Sequence, residues 1–94
     1  MELPRTSSGL VMPLAVVRAV RGVSIKSLAR QVDTTWQDVR DWEAGEARIP
    51  SAAMTKRLGL ALGWKWQDLA ADPLDPDDAW QTLCDARQRI AAAQ

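Results

Sequence analysis

Helix starts and stops recur between residues 13 and 71 at intervals that allow only brief helices, and no stretch alternates apolar with polar residues as a half-buried strand does. Pro13, a favoured first-turn residue, opens a first helix that runs to about Arg21 and is ended by Gly22. Ser24 caps a second, Ile25 to Val32, with Ile25, Leu28, Ala29 and Val32 on one face. Thr35 caps a third, Trp36 to Ala44, with Asp38 standing where a capping box carries Glu or Gln, and Gly45 stops it. A fourth opens at Pro50 or Ser51 and closes at Gly63, with Met54, Leu58, Ala61 and Leu62 as its apolar positions. Gly59 inside it costs roughly 1 kcal/mol against Ala, which points to a close contact. A short fifth helix covers about Trp66 to Ala71, and the acidic DPLDPDD segment leads into a sixth, about Pro76 to Ala92. On that last helix Trp80, Leu83, Arg87 and Ile90 are expected to share the packing stripe. The chain therefore reads as all-α. Residues 1–12 form a flexible arm, 13–71 the main domain, and 72–94 an acidic linker with an additional C-terminal helix.

Ninety-four residues with 47% apolar content suffice for one small core. Five Trp with no Phe or Tyr suggest that a few large side chains dominate it. The formal net charge is zero, so no overall field favours nucleic acid or an anionic membrane. The distribution is uneven: ten Lys and Arg against seven Asp and Glu over residues 1–71, a net +3, and two against five over residues 72–94, a net −3. Cys84 is the sole cysteine and reads as a small, half-buried hydrophobe. The apolar run Leu10–Val17 is short, contains Pro13 and lacks a preceding basic segment. It resembles neither a signal peptide nor a membrane span, so a cytoplasmic location is expected.

Asp33 and Thr34 alone separate the second helix from the cap of the third, a spacing that holds two helices at a steep angle. The third then buries Val39 and Trp42 and projects its first turn outward, a geometry that can enter a major groove. The pattern Arg18-x-x-Arg21-Gly22-x-Ser24, Leu28-Ala29, Val39-x-x-Trp42-Glu43-x-Gly45, Pro50 and Leu58-x-x-x-Leu62-Gly63 covers residues 17–69 with its flanks. It resembles the Cro and phage-repressor helix-turn-helix family, also called the xenobiotic-response-element type. The resemblance implies a five-helix, repressor-like helix-turn-helix domain and a DNA-binding regulator with double-stranded DNA as its partner.

Carried over by position, the resemblance implies a structural ion pair between Arg18 and Glu43, clamping the first helix to the end of the third. It assigns base reading to Thr35, Trp36, Gln37, Asp38 and Asp41. Gln37 can bond an adenine edge and the Thr35 methyl can meet a thymine methyl. Phosphate contacts fall to Ser24 and Ser51 at the amide ends of the second and fourth helices, and to Lys26, Arg40 and Arg48. Asp38 and Asp41 place negative charge on a surface that would face phosphates, although Asp accepts from cytosine N4. With so few local cations, two to four phosphates per subunit would be neutralised, and affinity would be modest and salt-dependent.

Three points stay open. Trp36 either covers the helix cap, stacks on bases or sugars, or anchors a protein partner. Val16 and Val20 make the first helix apolar beyond one face, so Trp80, Leu83 and Ile90 either lid it within the chain or build a homodimer interface. A protein-interaction module on the same fold, or an antitoxin whose acidic tail meets a basic toxin, is the alternative to a repressor. Catalysis is not expected: there is no His, no metal-ligand cluster, no Gly-rich phosphate loop, and the one Cys has no base. No cofactor, metal or membrane partner is expected.

Overall fold

The computed structural model describes residues 3–70 and 72–93. They form six helices and no strand: α1 Pro13–Arg21, α2 Ile25–Gln31, α3 Trp36–Ala44, α4 Ala52–Leu62, α5 Trp66–Leu69 and α6 Pro76–Ala93. Local chemistry sets the boundaries. The hydroxyl oxygens of Ser24, Thr35 and Ser51 accept the backbone N–H of Ser27, Asp38 and Met54, satisfying one orphan donor at the head of α2, α3 and α4. Gly22, Gly45 and Gly63 end α1, α3 and α4. Helix α5 stops at Leu69 with Ala70 as its cap, and the expected last residue, Ala71, lies outside the described residues.

Helix α1 lies between two cores. On one side Leu14 and Val17 pack with Leu28, Ala29 and Val32 of the α2 region, Val39 and Trp42 of α3, Leu58 and Leu62 of α4, and Leu69 of α5. On the other, Ala15 and Val16 pack with Val11 and with Ala79 and Leu83 of α6. A helix covered on both sides needs apolar residues nearly all round, which accounts for Val16 and Val20. Burying side chains such as Leu14, Leu28, Leu58 and Leu83 stabilises by about 1.5–3 kcal/mol each.

Three expectations from the sequence are corrected. The buried stripe of α6 is Ala79, Leu83 and Ala86, not Trp80, Leu83, Arg87 and Ile90. Trp80 is half exposed, Arg87 is exposed and Ile90 is only partly covered. Alanines at positions i and i+7 bring α6 close to α1, whereas the rotated face would bury an unpaired guanidinium. Secondly, tryptophan does not dominate the core: only Trp42 is buried, and the remaining volume is Leu, Val and Ala. Thirdly, the N-terminal segment is not a free arm. Val11 is fully buried and exchanges backbone hydrogen bonds with Leu74, at 2.7 and 2.8 Å, and Leu3 packs on the α1–α6 core. The lid is thus intramolecular, and it covers Val16 and Leu83 within the chain.

Candidate nucleic-acid interface

Helix α3 is fixed from its inner face. Val39 and Trp42 are in the core, and Glu43 beside them is completely buried. The Arg18 guanidinium donates from Nε and Nη2 to the two Glu43 carboxylate oxygens, both at 2.8 Å, and from Nη1 to the Val23 carbonyl at 3.0 Å. One side chain thereby ties α1, the α1–α2 loop and the end of α3 together. Bidentate geometry and the third acceptor satisfy the buried charges, without which burial would be costly. No buried side-chain nitrogen or oxygen lacks a hydrogen-bond partner among the described residues.

The turn between α2 and α3 is held with equal economy. Asp33 takes a left-handed conformation, φ +59, which Asp tolerates better than most side chains. The Thr34 hydroxyl donates to Asp38 Oδ2 at 2.7 Å, while the Asp38 N–H donates to Thr35 Oγ1 at 3.2 Å. The carboxylate of Asp38 therefore closes the turn onto the Thr34 hydroxyl instead of reaching the Thr35 backbone as in a capping box. Thr34 was not singled out from the sequence; its signal was the Thr-Thr pair ahead of an acid.

The outer face of α3 carries Trp36, Gln37, Asp38 and Arg40, all exposed, with Asp41 partly so and Thr35 exposed at the cap. Trp36 is 40% exposed. The Arg40 guanidinium lies over its ring, 5.2 Å from the centroid, and approaches Asp41 Oδ1 at 3.4 Å. Every base-reading candidate thus falls on one connected surface. The phosphate candidates are more dispersed. Ser24, Lys26, Arg48 and Ser51 are all exposed. The Ser24 and Ser51 oxygens accept backbone N–H groups at 3.1 Å, leaving each O–H free to donate outward.

Arg48 has neighbours that sequence reasoning did not assign to the site. With Ser7, Ser8, Gly45 and Ala47 it lines a hollow between the N-terminal segment and the end of α3. Leu10 N–H donates to Thr6 Oγ1 at 3.1 Å, Gly9 N–H to the Thr6 carbonyl at 2.9 Å, and a Cβ on Gly45 would lie 2.7 Å from Thr6 Cγ2. The run Thr-Ser-Ser-Gly was the available signal, since such residues form side-chain-bonded turns. Among the proposed lid residues, Val16, Val20 and Leu83 belong to the α1–α6 core, while Trp80 stands outside it.

Among the described residues no group of three or more His, Cys, Asp or Glu is placed to hold a metal, and no helix is long and apolar enough to cross a membrane. No protein-family model matches the chain, and no curated protein or solved structure matches it at a significant level.

Proposed function

We propose that this chain is a sequence-specific DNA-binding regulator of the helix-turn-helix type, with α3 as the helix that enters the major groove. The observation that carries the proposal is the two-sided character of α3. Its inner face is locked by Val39, Trp42 and the Arg18–Glu43 pair, while Thr35, Trp36, Gln37, Arg40 and Asp41 present one continuous polar and aromatic surface. A rigid helix with a free outer face is what base readout requires, because contacts to base edges discriminate only when held in register. Ser24, Lys26, Arg48 and Ser51 supply phosphate contacts on either side.

Docking of a protein partner on the same face is the second reading, favoured by the 40% exposure of Trp36 beside two acids. Selection from a random duplex library at low salt separates the two. Enrichment of a short motif supports DNA reading. Retention without enrichment that vanishes at modest salt rejects it and leaves the protein dock.

A further inference from the structure

The charges on the outer face of α3 are poorly suited to phosphate. Arg40 is its one cation, and Asp38 and Asp41 are its two carboxylates. A phosphate approaching Arg40 also meets Asp41, whose Oδ1 lies 3.4 Å from the guanidinium. The edge of a base pair is neutral and carries both acceptors and donors, so it meets no such penalty. In the major groove a G·C pair presents guanine N7 and O6 as adjacent acceptors, followed by the cytosine N4 amino group as donor. A guanidinium next to a carboxylate is the complementary set.

The position of Arg40 is also constrained. Long helical side chains lean toward the preceding turn, and that of Arg40 lies along the helix onto the ring of Trp36, four residues earlier. Stacking on the indole face leaves the edge N–H groups of the planar guanidinium available for a bidentate partner. Arg40 thus differs from Lys26 and Arg48, which make no stacking or ion-pair contact among the described residues.

From this arrangement we infer that Arg40 and Asp41, aligned by Trp36, read one G·C pair. The guanidinium donates to guanine O6 and N7, and the Asp41 carboxylate accepts from cytosine N4. The inference rests on α3 being the reading helix, and it changes Arg40 from a phosphate contact to a determinant of specificity. Trp36 is then a positioning residue.

The test begins with the duplex that the wild-type protein enriches from a random library. Each position is then varied, guanine is replaced by 7-deazaguanine, and binding is measured for wild type, Arg40→Lys, Arg40→Ala and Asp41→Asn. Wild type should discriminate against other pairs at one G·C position by about 5- to 150-fold, and should lose affinity when N7 is removed there. Arg40→Lys keeps the charge but loses the planar fork stacked on Trp36, so it should weaken that preference, and Arg40→Ala should erase it, with the other positions unchanged. If Arg40→Ala keeps that preference, or weakens all sequences equally and lowers the salt slope by about one, Arg40 does not read the pair. The inference then fails while α3 reading stands. If wild type enriches nothing, both fail.

Discussion

At the scale of single residues, the Arg18–Glu43 pair sets the stability of the proposed reading helix. Glu43 is completely buried and Arg18 is 16% exposed, so removing Arg18 strands a carboxylate away from water, and removing Glu43 leaves a largely buried guanidinium without its partner. Glu43→Leu or Arg18→Met alone is expected to destabilise by about 3–5 kcal/mol, whereas the double variant should recover much of that loss. Urea unfolding of the three variants gives the comparison; equal and additive losses would show that the pair is not coupled. Gly59 offers a second test. Helix propensity alone favours Ala there by roughly 1 kcal/mol. A Cβ at that position, however, would sit 2.9 Å from the Trp64 carbonyl oxygen and 3.2 Å from Trp66 Cα, and backbone does not yield easily. Gly59→Ala is therefore expected to lower the unfolding midpoint, by about 1–3 kcal/mol of overpacking; a higher midpoint would contradict the packing.

At the scale of elements, the caps and stops were legible because Ser24, Thr35, Ser51 and the three terminating glycines act within four residues of themselves. The close approach at Gly59 was legible for a similar reason, since glycine inside a helix needs a cause. The packing face of α6 was not. Its sequence carries two overlapping stripes that share Leu83, and size favoured the wrong one. What decides is the packing on α1, where Ala15 and Ala79 belong to one core with Val11, Val16 and Leu83. Ala79→Leu should accordingly destabilise by about 1–3 kcal/mol in thermal or urea unfolding, while Trp80→Ala on the exposed side should change little. The reverse order would restore the face expected from the sequence. The docking of residues 3–12 was hidden for another reason: the Val11–Leu74 hydrogen bonds join segments more than sixty residues apart and leave no periodic trace. Of the candidate site, the outer face of α3 was legible as positions on one helix. The stack of Arg40 on Trp36 and the bond from Thr34 to Asp38 depend on rotamers and were not.

At the scale of the whole molecule, zero net charge, with twelve Lys and Arg offset by twelve Asp and Glu, predicts weak electrostatic attachment. If two to four phosphates are neutralised per subunit, the logarithm of affinity should fall with the logarithm of salt with a slope of about −2 to −4 per subunit. A slope near −8 would show many more phosphate contacts than the candidate residues supply.

The central claim, that α3 reads duplex sequence, is tested most directly by repeating the library selection with Gln37→Ala and, as a control, with Gln88→Ala on the exposed surface of α6. The account predicts a defined motif for wild type and for Gln88→Ala, with Gln37→Ala losing its preference at an adenine position. A motif that is the same for all three proteins, or no motif for wild type, would contradict it.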